Sequence, residues 1–180
     1  EEKIDQLLQL AAAFYSDKAE EKTGPMSDLG LTQENINNAG TTLGVSGARE
    51  AIRVQNDYIK NNRLNIPTIL MADIIHGFRT IFPIPLALGS SWDVQAAEQM
   101  AEVSAKEAAV SGLHVTFSPM VDLVRDPRWG RVMESTGEDA YLNGCFAEAF
   151  VKGSQGDDLT NDRYRVAARV KHFVAYGSAI

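Results

Sequence analysis

Pro67-Thr68-Ile69-Leu70-Met71-Ala72-Asp73 decides the fold. It is a short apolar run that ends on a carboxylate. Such a run fits a strand buried on both faces, as in parallel sheets. Working outward, strand-like texture recurs at Thr41-Thr42-Leu43-Gly44-Val45, at His114-Val115-Thr116-Phe117-Ser118 and at 166–173. Helical spacing separates these runs. Residues 48–62 put Ala51, Ile52, Tyr58 and Ile59 on one face. Ser90-Ser91-Trp92-Asp93 offers a helix start of the capping-box type, followed by Val94, Ala97, Ala101, Ala105 and Ala108, with Gly112 as the stop. Leu142, Cys145, Phe146 and Ala149 mark a further helix. Upstream, Ile4, Leu7, Leu8, Ala11 and Tyr15 form one apolar stripe that predicts an opening helix. Residues 16–28 then predict a loop, and 29–38 a short helix with Thr32 as N-cap and Gly40 beyond its end.

The order is helix, then β-α-β-α-β-α-β, which means a parallel sheet in an α/β protein. Strand starts at 41, 67, 114 and 166 space the units by roughly 42 residues, so eight units need roughly 330, more than the ~250 of a typical (β/α)8 barrel. The expectation is the first half, about four βα units, of a TIM-type barrel, incomplete by itself. Four strands do not close, so the first, near Thr41, and the fourth, near Val166, are expected as open edges. The remaining half of the barrel, or a second copy in a homo-dimer, would cover them. An open doubly wound sheet is the alternative, but no G-x-G-x-x-G follows the first strand and no G-x-x-x-x-G-K-[ST] occurs. No internal repeat divides the chain, so residues 1–180 are expected to form one domain part without an internal boundary.

At 44% hydrophobic and 23% charged residues, the chain has the composition of a soluble globular domain. Its net charge of −7 and pI near 5.0 exclude the basic face of a nucleic-acid binder. No apolar run approaches the ~18 residues that span a bilayer, so no membrane partner is expected. The chain opens Glu1-Glu2-Lys3 with neither a signal peptide nor a starting Met. An upstream segment is therefore expected to have been removed; a cytoplasmic location is favoured, with secretion or the periplasm as the alternative. The single cysteine, Cys145, forms no internal disulfide, excludes a Cys-cluster metal site and reads as a small buried hydrophobe.

Ligands of parallel α/β folds bind at the carboxyl ends of the strands. The second strand ends in Asp73-Ile74-Ile75-His76-Gly77, the third leads into Asp122 and the arginines 125, 128 and 131, and the fourth ends in Lys171-His172-Phe173 with Tyr176 beyond. Carboxylate, guanidinium, ammonium and imidazole on one face suit a polyhydroxylated ligand, whose hydroxyls both donate and accept. Plainer readings stand beside this. Asp73 either caps a turn or binds, although an acid closing a buried strand is costly without a task. His76 is either a loop histidine or a ligand contact, and Trp129 either packs or stacks on a ligand. Arg125, Arg128 and Arg131 either contact the ligand or pair with Asp122, Asp126 and Glu134. The acidic run 134–139 supplies the first turn of the next helix. His114, at the opposite end of its strand, is structural. Lys171, an ammonium at a buried strand end, needs a partner or a ligand.

Asp73-Ile74-Ile75-His76-Gly77 with Thr80-Ile81-Phe82-Pro83 resembles the D-x-x-H-G…F-P segment of glycoside hydrolase family 3. Residues 117–122, 125–131 and 134–139 resemble that family's longest signature, with Ala140 where proline is common, and Lys171-His172-Phe173 with Tyr176-Gly177 is similar to its K-H-F…G strand. The blocks occur in order over essentially the whole chain, most like bacterial β-glucosidases. The resemblance implies a β-glycoside or oligosaccharide substrate and no cofactor or metal. It implies that Asp73 holds two hydroxyls of the sugar at the cleavage subsite, that Arg131 contacts a further hydroxyl, and that Lys171 and His172 reach the neighbouring ones. It also implies cis peptide bonds at Lys171-His172 and Phe173-Val174. Family members are retaining enzymes with an aspartate nucleophile and a separate acid/base. Both are expected downstream, so no catalytic carboxylate is assigned here and the isolated chain is expected to be inactive.

The leading expectation is thus a hydrolase that releases a terminal sugar, β-D-glucose first, by double displacement. A Schiff-base lyase using Lys171, or a non-catalytic carbohydrate-binding or structural fragment, is the alternative. A metal hydrolase is weaker, since His76 and His172 stand far apart and no H-x-H occurs.

Overall fold

The computed structural model describes residues 2–11, 28–45, 47–173 and 176. They divide into two compact units, one of residues 1–72 with 111–113, the other of 73–110 with 114–180.

In the first unit, α1 (Glu2–Asp5) is followed by β1 (Gln9–Ala11), α2 (Gln33–Asn38), β2 (Thr41–Leu43), α3 (Ala48–Asn61) and β3 (Ile69–Ala72). The three strands are parallel and in step: Leu10 stands opposite Thr42, and Thr42 opposite Leu70. All three side chains are buried. Thr42 is tolerated there because its hydroxyl bonds that of Thr68 at 3.1 Å. The opening helix therefore stops after one turn. Its apolar stripe is accidental: Leu7 is 83% exposed, while Leu10 is buried as a strand residue. Tyr15, the loop expected over 16–28 apart from its last residue, and Ser46 lie outside the described residues. Because β1 pairs with β2, the strand at Thr41 is flanked on both sides and is not an edge.

Thr32 caps α2 as expected, in a reciprocal box with Asn35, although the helix begins only at Gln33. In α3 the buried face is Ala51, Val54 and Tyr58. Ile52 is 61% exposed and lies on the other side. The Tyr58 hydroxyl accepts from Gln6 and Asn62, which satisfies its burial.

The second unit holds α4 (Pro85–Ser91), α5 (Val94–Val110), β4 (Val115–Thr116), a 3-10 turn (Val132–Glu134), α6 (Ala140–Gln155) and β5 (Ala167–Ala168). α4 is an addition to the sequence reading: Pro85 opens it at the first helical position, where its missing N–H costs nothing. No capping box starts α5. Trp92 ends α4 in the left-handed region (φ 60°), and Asp93 alone accepts from Ala96 N–H. Ala97, Met100 and Ala101 of α5 pack on Phe146, Ala149 and Phe150 of α6, with Leu88 of α4. Cys145 is only half-buried, and Asp139 caps α6 by accepting from Leu142 N–H.

The two long helices approach closely at Gly153. A Cβ there would stand 2.2 Å from the Glu98 carbonyl oxygen. Alanine ordinarily gains up to ~1 kcal/mol over glycine inside a helix, but a backbone atom cannot swing aside. Gly153→Ala is expected to destabilise the protein by ~1–3 kcal/mol, read as a lowered denaturation midpoint; a raised midpoint would contradict this packing.

β4 and β5 are parallel, Val115 opposite Ala167 and Thr116 opposite Ala168. The pairing continues past both strands. Arg169 N–H donates to Thr116 O, Lys171 N–H to Pro119 O, and Val121 N–H to Lys171 O. This extended ladder delivers residues 121–122 and 171–172 together beyond the strands' carboxyl ends. His114 precedes β4 at the other end, its carbonyl accepting from Ala167 N–H.

Candidate functional site

Glycine fixes the first wall of the site. Gly77 has φ 112°, and a Cβ there would meet Thr80 O at 1.9 Å. The segment turns back so that Phe82 N–H donates to His76 O. Glu107 holds the turn from α5, accepting from the N–H groups of Arg79 and Thr80 and from the Thr80 hydroxyl at 2.6–2.9 Å. These bonds, the Thr80 hydroxyl's first, hold the Glu107 carboxyl below its ordinary range against a smaller opposing effect of burial. A depressed folded-state pKa contributes stability above the unfolded value that is lost as pH falls through the folded one. The Thr80 amide resonance is therefore expected to titrate below the usual glutamate range, and Glu107→Gln to remove that titration; a midpoint at or above the ordinary value would contradict the anchoring.

Asp73 leaves β3 and Lys171 leaves the extended β5 ladder, and they meet: Lys171 Nζ donates to Asp73 Oδ1 at 2.7 Å. The ammonium lies 3.6 Å from Glu134 Oε2 as well. Its side chain is 11% exposed and that of Asp73 55%. Glu134 accepts the Arg131 fork through both oxygens, from Nε and from Nη2, each at 2.6 Å. The 3-10 turn causes this pairing, since residues three apart lie one above the other in it. The Arg131 bonds hold the Glu134 carboxyl below its ordinary range, outweighing the burial that raises it. The same bonds raise Arg131 further above its already high value.

Arg131 Nη1 points the other way, 3.1 Å from His172 Nε2 and 3.4 Å from the Tyr176 hydroxyl. On its far side, His172 Nδ1 lies 2.8 Å from Asp122 Oδ2, which also accepts the His172 backbone N–H. Arginine only donates, so Nε2 accepts and the ring proton sits on Nδ1, facing Asp122. The Asp122 side chain is only 7% exposed. Tyr176 stacks against the imidazole, ring centres 4.3 Å apart.

Asp73, Lys171, Glu134, Arg131, His172 and Asp122 thus form one continuous row. A cavity of about 320 Å³ opens over it, lined by Asp73, His76, Arg131, Glu134 and Lys171, with Ile75, Ile84 and Met133 as an apolar wall. Its size falls in the ~300–1,000 Å³ of small-molecule sites. His76 Nδ1 is buried and, among the described residues, has no hydrogen-bond partner. Among the described residues Arg131 engages four of its five N–H groups in these contacts, and one Nη2–H has no partner.

All four residues singled out as binders, Asp73, Arg131, Lys171 and His172, belong to this row. The Lys171-His172 bond is cis; the Phe173-Val174 bond falls outside the described residues. The arginine network divides. Arg128 pairs with Asp126 on the surface, and Arg131 alone reaches the site. Asp122 serves His172 rather than an arginine. Trp129 is buried and packs, its ring tilted 60° to that of Tyr176. Glu134 faces the site instead of starting α6; its spacing of three from Arg131 was the available signal. Among the described residues no group of three or more His, Cys, Asp or Glu side chains could hold a metal ion, and no helix is long and apolar enough to cross a membrane.

The family model "Glycosyl hydrolase family 3 N terminal domain" matches residues 1–180. The chain belongs to glycosyl hydrolase family 3. Its parallel strands and helices are the α/β fold of that family's N-terminal TIM-type barrel domain. A relative from Salmonella typhimurium, a periplasmic β-glucosidase, is 48% identical over 131 residues, 72% of this chain and 17% of its own. A β-xylosidase from Formosa agariphila is 31% identical over 180 residues, 93% of this chain and 24% of its own. Among solved structures, the Listeria innocua β-glucosidase in complex with glucose superposes with a TM-score of 0.89 at 54% identity, over 96% of this chain and 24% of that one. The chain thus spans about a sixth to a quarter of the relatives' length.

Proposed function

We propose that the full-length protein is a β-glycosidase that releases a terminal sugar, β-D-glucose first, with retention of configuration. One observation carries this reading: a family 3 chain places a half-exposed carboxylate, an ammonium and a spare guanidinium N–H around one cavity. A neutral sugar needs that mixture, because each hydroxyl both donates and accepts. In this reading Asp73 accepts from two hydroxyls and Lys171 and Arg131 bind neighbouring oxygens, while His172, whose ring nitrogens face Arg131 and Asp122, reaches the sugar only where a hydroxyl takes the place of Arg131 at Nε2. The Listeria relative, 54% identical and holding glucose, supports the choice of sugar; the β-xylosidase relative makes xylose the competitor. Residues 1–180 act as one N-terminal part of the barrel domain. Each carboxylate of the row is engaged by a cation or an imidazole, which suits binding, so the nucleophile and acid/base belong to other parts of the full-length protein. The periplasmic name of one relative supports export as the alternative to a cytoplasmic location.

The test is hydrolysis of aryl β-glucoside and aryl β-xyloside by the full-length protein, with the product anomer followed by NMR. Retained β-glucose as the first product is expected. No turnover of either substrate, or an inverted product, would overturn the reading. The Schiff-base alternative requires a free amine at Lys171, whose Nζ is directed between two carboxylates; borohydride trapping of a carbonyl substrate on Lys171 would be its mark.

A further inference from the structure

We propose that Glu134 is the positioning residue of the sugar site: it binds no substrate and holds Arg131 and Lys171 in place for it. The inference rests on the β-glycosidase reading and deepens it.

Both Glu134 oxygens are already engaged by cations. Oε1 receives Arg131 Nε, and Oε2 receives Arg131 Nη2 and faces Lys171 Nζ. A planar fork held at two points has one orientation, and this one sends Nη1 to His172. One carboxylate therefore sets both cations, and through Arg131 it sets the imidazole. Without it, Arg131 and Lys171 repel one another, and Lys171 keeps only Asp73 as a partner.

The backbone beneath Glu134 is anchored for such a task. The adjacent Ser135 is buried, and its hydroxyl donates to the Asp122 carbonyl at 2.7 Å. Gly89 of α4 lies so close to this segment that a Cβ would meet Thr136 O at 1.9 Å. The turn carrying Arg131 and Glu134 is thus tied both to a helix and to the strand end bearing Asp122.

The experiment is a double-mutant cycle in the full-length protein, with an aryl β-glucoside as substrate and Tm measured alongside. Glu134→Gln keeps the shape and removes the charge. It is expected to raise KM ~10-fold or more while kcat stays within about threefold, the pattern of lost binding. In an Arg131→Met background the same substitution is expected to add less than about threefold, because coupled residues do not act additively. Equal effects in both backgrounds, or an unchanged KM in Glu134→Gln, would overturn the positioning role and leave the glycosidase reading standing. Absence of wild-type turnover on any β-glycoside would overturn that reading and this inference with it. If Glu134→Gln lowers Tm so far that little folded protein accumulates, Glu134→Asp carries the test: it keeps the charge but cannot span the fork, so KM rises; an unchanged KM refutes the role.

Discussion

Asp73→Ala in the full-length protein is expected to lower kcat/KM for a β-glucoside by roughly 10²- to 10⁴-fold. A hydrogen bond to a charged group is worth ~1.5–3 kcal/mol, and the reading gives this carboxylate two hydroxyls. The side chain is more than half exposed, and its one hydrogen bond among the described residues comes from Lys171. Its removal leaves Lys171 beside Glu134, so the fold is expected to survive with a Tm close to that of the unaltered protein. Steady-state kinetics together with thermal denaturation check both halves. A loss below about tenfold would remove Asp73 from the sugar site, and a loss of Tm matching the loss of rate would make it structural.

Lys171→Met has the second large effect, of a different kind. Lys171 is mostly buried and stands between Asp73 and Glu134. Removing one partner of a buried ion pair costs ~3–5 kcal/mol, because the charge left behind has no answer. Asp73 reaches solvent and softens that cost, so the expected loss of stability lies toward the lower end or below it. Activity is expected to fall further than stability accounts for, since in the proposed reading the ammonium also donates to the sugar. Lys171→Arg retains the charge but not the compact shape, and is expected to recover stability without recovering kcat/KM. Equal recovery of both would mean that Lys171 acts only as an ion-pair partner.

The sequence announces long elements and strand ends well, because their signals are local. The 17 residues of α5 repeat alanine at helical spacing, and Lys171-His172 stands at the end of an apolar run. Short elements escape. β1 has three residues, and its neighbours Ile4, Leu7 and Leu8 fall by chance on a helical stripe. α4 is hidden because Pro83 and Pro85 look like helix breakers, whereas Pro85 opens the helix. In the site, Asp73, Lys171 and His172 are legible as strand termini. The partner of Asp122 is not: His172 lies 50 residues away, and nearby arginines compete for the assignment. Glu134 is masked by its place in an acidic run that reads as a helix start, and only the 3-10 turn returns it to Arg131.

The row of charges over the cavity has an effect on how ligands arrive. The four charged side chains that line the cavity, Asp73, Lys171, Glu134 and Arg131, alternate in sign and cancel, although the chain as a whole carries −7. Fields from such neighbouring opposites fade within a Debye length, ~8 Å in physiological salt. The cavity mouth therefore offers little long-range pull, unlike clefts of one sign that steer charged substrates and slow down as salt is added. An uncharged sugar loses nothing by this. In the proposed reading such a sugar meets the site by ordinary diffusion and finds donors and acceptors only at contact, so its capture is expected to be nearly indifferent to ionic strength, while anionic sugars gain no advantage at the door.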